Sequence, residues 1–252
     1  MSTSTITNVL ITGVARGIGL SLLKAYLSRP NHTIIGTVRN TSSPSTSTLT
    51  TLSTAPNTHL ILLSIESTSA SDYPAAVAQL HEAGIRHLDL VIANAGICPD
   101  PCPLVQLDVE DVSKAFAVNT VGPIMLFQAV RGLLEKGHGK KWVSMSTGAA
   151  SLGNLEVHGA HGVAAYGISK GGLNWFTLAV HTSEDWLNAF AVHPGLVQTE
   201  MGNKGAQMMG LEEAPNTLEE STSKTIALID GATRETASGR FFNSIDGSEF
   251  PW

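Results

Sequence analysis

The chain has 252 residues, of which 42% are apolar and only 14% charged, against roughly 25% charged in an average soluble domain. Fifteen Lys and Arg against twenty-one Asp and Glu give a net charge of −6, the wrong balance for a general nucleic-acid binder and too apolar for a disordered chain. Two cysteines cannot make a disulfide framework or a four-thiolate metal site, no apolar run reaches ~18 residues, and Met1–Thr5 lack the features of a leader. The expectation is one soluble cytoplasmic domain with no membrane or nucleic-acid partner.

Short apolar runs alternate with amphipathic stretches along the chain. Asn8–Thr12, Thr33–Val38, His59–Leu63, Leu88–Ala93, Lys141–Met145, Ala189–His193 and Arg240–Asn243 read as strands. Helices are expected over Leu20–Ser28, 72–83, 108–135, 165–186 and 217–230. Continuous apolar strands separated by helices imply a parallel sheet covered on both faces. Right-handed crossovers then give an α/β, doubly wound parallel sheet in a single domain, 1–252. Residues 41–54 hold eleven Ser or Thr in fourteen and read as a loop and short helix between the second and third strands.

The turn Thr12-Gly-x-x-x-Gly-x-Gly19 lies between the first strand and the first helix. Glycines there let backbone N–H groups approach an anion, and the helix N-terminus adds partial positive charge. Gly13, Gly17 and Gly19 are therefore candidate ligands of a dinucleotide pyrophosphate. Arg16 lies within the turn, and Arg39 follows the second strand where an acid would accept hydrogen bonds from an unphosphorylated ribose. A guanidinium there suits a 2′-phosphate instead, so the expected cofactor is NADP(H).

Tyr166 and Lys170 are four residues apart, on one face of a helix. A nearby ammonium favours the phenolate and makes the phenol a usable acid–base group.

These motifs occur in one order with Ala93-Asn-Ala-Gly96, Asn119, Ser146-Thr147 and Pro194-Gly195. The whole chain resembles a short-chain dehydrogenase/reductase of the ~250-residue branch, with a Rossmann-like fold. Within the family it is most similar to fungal norsolorinic acid ketoreductase-like enzymes. Val91–Ile97, His193–Met201, Ala232–Thr236 and Asp246-Gly-Ser-Glu-Phe-Pro-Trp252 carry the closer likeness.

The resemblance implies roles. Ile18 lies under the cofactor, Glu66 contacts the adenine, Asn94 sits beside the adenosine ribose, and Val197 and Thr199 contact the carboxamide. Tyr166 is the acid–base, Lys170 its activator and a ribose ligand, and Asn119 holds a water in the proton relay. The catalytic hydroxyl falls on Thr147, with Ser146 as second candidate, because the family pattern has serine in that slot. Thr147 and Tyr166 are nineteen apart where the family usually has about thirteen, so Gly153–Ala164 carry an insertion. A substrate lid falls at about 201–216, with Met201, Met208, Met209 and Leu211 as candidate substrate contacts.

His158 and His161 in the inserted loop are candidate substrate contacts; they lack a third partner for a metal, and no metal is expected. Cys98 and Cys102 read as reduced thiols. The partners expected are a small-molecule carbonyl or alcohol and further copies of the chain, as a homodimer or homotetramer through the 108–135 and 165–186 helices. The expected activity is NADPH-dependent reduction of a ketone or aldehyde, such as an aromatic or polyketide-like carbonyl of specialised metabolism. The rivals are a non-redox epimerase, dehydratase or pericyclic catalyst, and a catalytically silent cofactor-binding sensor or scaffold.

Overall fold

The computed structural model describes residues 6–252; Met1–Thr5, on which the expected lack of a leader rests, lie outside them. Seven strands run parallel: β1 (Thr7–Thr12), β2 (His32–Val38), β3 (His59–Ser64), β4 (Leu90–Ala93), β5 (Lys141–Met145), β6 (Asn188–His193) and β7 (Phe241–Asn243). A two-residue strand, β8 (Glu249–Phe250), pairs antiparallel with β7. The order is β3-β2-β1-β4-β5-β6-β7-β8. Order reverses between β1 and β4, and the crevice beyond the strand ends at such a point is where ligands bind in open α/β sheets.

The helices are α1 (Gly17–Leu27), α2 (Pro44–Ser47), α3 (Asp72–Glu82), α4 (Val109–Phe116), α5 (Gly122–Glu135), α6 (Ala164–Ser183), α7 (Glu200–Met208), α8 (Leu218–Gly231) and α9 (Arg234–Ala237). Successive strand residues point to opposite faces. Val9, Ile11, Ile92, Val143 and Phe190 therefore pack with Leu22 and Tyr26 of α1 and Ile226 and Ile229 of α8. Leu10, Val91, Trp142 and Ala189 pack on the other face with Leu80 of α3, Phe127 of α5 and Val180 of α6. Two buried faces account for the apolar strand runs and the low charge.

The structure departs from the sequence-based expectation in three places. The expected 108–135 helix is interrupted: Ala117–Val121 form one π-helical turn between α4 and α5. The run from Val109 to Glu135 is long and apolar enough to cross a bilayer. Its α4 part packs on α6 and its α5 part on α3 and β4, which makes it a core helix of this fold. Second, β4 begins at Leu90, because the Asp89 carboxylate accepts from the Asn8, His138 and Gly139 N–H groups at the sheet's lower edge. Third, β8 and α7 carry no periodic signal long enough to read.

Candidate active site

The glycine turn builds an open cradle at the end of β1. Gly13 and Gly17 have φ of +73° and +57°, a region that favours glycine. At Gly19 the need is for space: an added Cβ would overlap the Gly13 carbonyl and lie 2.6 Å from Asn94 Nδ2. α1 starts after Arg16 with no side-chain cap and no acid in its first turn. Its first N–H groups are thus left for an anion. Thr12, the last residue of β1, joins this turn to the next strand. Its Oγ1 accepts from the Asn94 and Ala95 N–H groups, both at 2.9 Å, while Asn94 Nδ2 donates to Thr12 O at 2.8 Å.

Other expected cofactor residues divide. Thr199, the N-cap of α7, places its methyl group 3.5 Å from where a Gly17 Cβ would stand, and Val197 is buried just before it. Ile18 packs partly into the core. Arg39 is exposed at the end of β2 and has no ion-pair partner among the described residues. Arg16 pairs with Glu200 on α7. Both side chains are largely exposed, so the pair is weakly held and exchangeable. Glu66 lies two residues beyond β3, its N–H held by Asp72. Its carboxylate is near the Tyr73 phenol, whose pKa burial and then Glu66 push up to about 12. Ser64 occupies the strand end itself, with Oγ donating to Arg39 O.

Around the switch point the structure brings together Asn119, Thr147, Tyr166 and Lys170. The π-helical turn carries Asn119 fully buried against Ile97: its Oδ1 accepts from Ile97 N at 2.9 Å and its Nδ2 donates to Ile97 O at 2.8 Å. Nδ2 also donates to Ser169 Oγ at 2.9 Å, which ties the turn to α6. π-turns inside helices are frequent at functional sites. Lys170 is 2% exposed and its Nζ donates to Met145 O at 2.7 Å. A Cβ on Gly96 would meet Asn119 Oδ1 at 2.9 Å and Lys170 Nζ at 3.4 Å, so this glycine is what lets the two groups share one space.

Burial lowers the Lys170 pKa to about 8, opposed by the neighbouring Cys98 thiol. Burial also raises the Tyr166 phenol above its usual range, with Cys98 adding to the rise and a hydrogen bond with Thr147 opposing it. This corrects the expected lowering of the phenol by Lys170: burial dominates, and Tyr166 holds its proton at neutral pH. Ser146, the second candidate hydroxyl, is turned away: its Oγ donates to Asn174 Oδ1 at 2.6 Å in a buried pair. Of the two hydroxyls, Thr147 is the one near enough to act on the Tyr166 phenol.

Cys98 is a site residue that the sequence reading passed over. Its electrostatic influence on both Tyr166 and Lys170, and that of Lys204 on it, put it near this pair and near α7. Burial pushes its thiol up to about 11, so it stays protonated at neutral pH. Its position two residues after the Asn94-Ala-Gly96 turn was the available signal.

Three segments border the mouth. Lys204 of α7 pairs with Asp100, Cys102 N donates to Gly162 O at 3.1 Å, and Met208 Cε would lie 3.8 Å from a Gly162 Cβ. Met201, Met208, Met209 and Leu211 are exposed here rather than packed into the core. The 201–216 segment is α7 followed by a return that a bridge between Val197 and Asn216 anchors. His161 is exposed on the inserted loop. His158 is not where a substrate contact was expected: its Nδ1 is 2.9 Å from Gly148 O, and its ring lies against Phe250. Among the described residues no cluster of His, Cys, Asp and Glu could hold a metal ion, and Cys98 and Cys102 are free.

Comparison with known proteins identifies the family. The family model "short chain dehydrogenase" matches residues 7–210. A "Short-chain dehydrogenase srdF" of Neurospora crassa is 44% identical over 100% of both chains. A "Norsolorinic acid ketoreductase" of Aspergillus parasiticus is 37% identical over 96% of this chain and 90% of its own. The crystal structure of an NADPH-bound carbonyl reductase from chicken fatty liver superposes with a TM-score of 0.86 at 26% identity, covering 98% of this chain and 95% of that one. The chain belongs to the short-chain dehydrogenase/reductase family of oxidoreductases.

The cradle makes a direct prediction. Gly19→Ala should cost roughly 3 kcal/mol, about 6–12 °C in thermal midpoint. Gly231→Ala, at a helix end with nothing within 4 Å of the new methyl, should leave the midpoint unchanged in the same melting experiment.

Proposed function

We propose that the protein is an NADPH-dependent carbonyl reductase acting on a ketone or aldehyde of specialised metabolism, with Tyr166 as general acid. The observation that carries this reading is the meeting of Thr147, Tyr166 and Lys170 beside an uncapped helix N-terminus at the sheet's switch point. The cradle fits a dinucleotide: Gly13, Gly17 and Gly19 leave the pyrophosphate room against the first turn of α1. Arg39 and Arg16 would take a 2′-phosphate, Arg16 by giving up Glu200. Asn94, Val197, Thr199 and Lys170 line the remainder. When bound, the reduced nicotinamide supplies the hydride that the carbonyl carbon receives.

The chain's own residues handle the oxygen. Thr147 donates a hydrogen bond to the carbonyl oxygen, where negative charge develops. Tyr166, held protonated by burial, transfers its proton to that oxygen as the C=O bond becomes a C–O–H group. The resulting phenolate is stabilised by the Lys170 ammonium one turn along α6, which is charged below about pH 8. Asn119 keeps the wall around Lys170 in place and sits where a relay water would return the proton. The exposed methionines of α7 and the exposed Leu152, Leu155 and Val157 of the inserted loop offer apolar surface suited to a hydrophobic carbonyl. The name of the Aspergillus parasiticus relative supports an aromatic polyketide as the type of substrate.

Self-association is part of the same reading. Val109 and Phe116 of α4, Val121 beyond it, and Ile168 and Trp175 of α6 are exposed large apolar side chains, and Trp175 is 73% exposed. A second copy of the chain covering this face would bury them. Analytical ultracentrifugation should show an oligomer that Trp175→Glu dissociates; a monomeric wild type would overturn this part.

Two measurements test the chemistry. With a ketone panel and reduced cofactor, Tyr166→Phe should lower kcat by about 10²–10⁴-fold. Thr147→Val should lower it by about 10²-fold, while Ser146→Ala keeps most of the activity. Loss of activity in Ser146→Ala alone would reassign the hydroxyl, and turnover without loss of reduced-nicotinamide absorbance would move the enzyme to a non-redox class. Separately, Arg39→Ala should weaken NADPH binding by roughly 2 kcal/mol, about 30-fold, with little effect on NADH. Equal weakening of both would remove Arg39 from the phosphate site.

A further inference from the structure

Resting on the proposed reductase chemistry, we infer that the Phe250-Pro251-Trp252 segment and His158 form one positioning device for the Thr147 hydroxyl. The loop after β5 has little core of its own. Leu152 and Val157 are exposed at 79% and 83%, so the loop buries little apolar surface. It contains only two short 3-10 turns, Gly148–Ala150 and Ala160–Val163. Beside α6, whose Asn174 Nδ2 donates to Ala150 O at 3.4 Å, it takes two anchors from a hundred residues further along the chain. Ser151 Oγ donates to Pro251 O at 2.5 Å, and Gly153 N donates to Trp252 O at 3.1 Å.

The anchors are fastened to the sheet by rings. Trp252 stacks on the buried Phe241 of β7, with centroids 5.7 Å apart and planes 24° apart. Phe250 meets Phe241 edge-on at 5.4 Å and stacks on His193 of β6 at 5.6 Å and 26°. The Phe250 ring then reaches His158 at 5.5 Å. A carbonyl can only accept, so His158 Nδ1–H donates to Gly148 O, the residue next to Thr147. A Cβ on Gly148 would lie 3.0 Å from the His158 ring and 3.2 Å from Phe250, and one on Gly153 would lie 2.8 Å from Pro251. The loop's glycines are thus fitted to this segment.

What is held is the turn that sets Thr147. Ala150 N donates to Thr147 O at 3.0 Å, and Thr147 Oγ1 accepts from Ala149 N at 3.3 Å. Fixing Gly148 therefore fixes the direction of the hydroxyl toward Tyr166. His158 and Phe250 act through Thr147 and not on substrate, and this replaces the sequence reading of His158 as a substrate contact. Small displacements of a catalytic group carry large rate penalties, which makes such a brace functional rather than ornamental.

The test is a double-mutant cycle on the full chain. His158→Leu and Phe250→Ala should each lower kcat for ketone reduction roughly tenfold or more. KM for the reduced cofactor should hold, and His158→Asn, whose amide can donate in place of Nδ1–H, should recover most of the loss. In the Thr147→Ala background, His158→Leu should add almost nothing, because both act at one hydroxyl. Full additivity, or unchanged kcat in His158→Leu, would overturn the inference. Hydrogen exchange at residues 148–151 gives a readout that does not need turnover: Trp252→Ala and Phe250→Ala should accelerate it, and unchanged protection would also overturn the brace. Accelerated exchange in these variants of a protein whose wild type reduces no ketone would instead fail the reductase reading and leave the brace standing.

Discussion

The Lys170 ammonium sits almost completely out of water, and the surrounding architecture follows from keeping it there. A buried ammonium needs partners, and the Met145 carbonyl at the end of β5 supplies one directly. Gly96 leaves room for Asn119 Oδ1 to approach the same space. Asn119 reaches it because its helix takes one wider turn, and Ser169, the residue before Lys170, locks that turn to α6. Strand end, π-turn and helix are thus bound to one charge. Its depressed pKa is the remaining cost of burial, and it leaves the charge sensitive to whatever occupies the cleft.

The two sides of the crevice are built on different principles. The dinucleotide side is mostly backbone: glycines, an open helix end, and Thr12 and Asn94 bridging β1 to β4. The substrate side is assembled from loops that meet through single contacts, with Lys204–Asp100, Cys102–Gly162 and Met208–Gly162 linking three segments. α7 belongs to both sides, since Glu200 holds Arg16 of the glycine turn and Lys204 holds Asp100 of the mouth. Filling of the cradle by a phosphorylated ligand would compete with the first of these pairs.

The seven parallel strands were legible because burial on both faces leaves continuous apolar runs, and the site motifs were legible because each falls at a strand end or on one helix face. What was not legible depends on partners remote in the chain. Arg16 is an exposed cation by its motif, yet its partner Glu200 lies 184 residues away. Ser146 and Thr147 are adjacent on extended chain and face opposite ways, and only the position of α6 decides which one meets Tyr166. The π-turn leaves no mark in periodicity, since one extra residue in a helix is within the tolerance of any apolar pattern. His158 read as a mouth residue because nothing near it in sequence shows that Phe250 stands behind it.

The link between residues 148–153 and residues 250–252 also bears on the order in which the molecule is made. During synthesis the N-terminal strands emerge first, and β1 to β4 already include the switch point and the glycine cradle. The loop carrying Thr147 gains its anchors on Pro251 and Trp252 only once residue 252 has left the ribosome. The glycine turn is therefore synthesised well before the segment that braces Thr147.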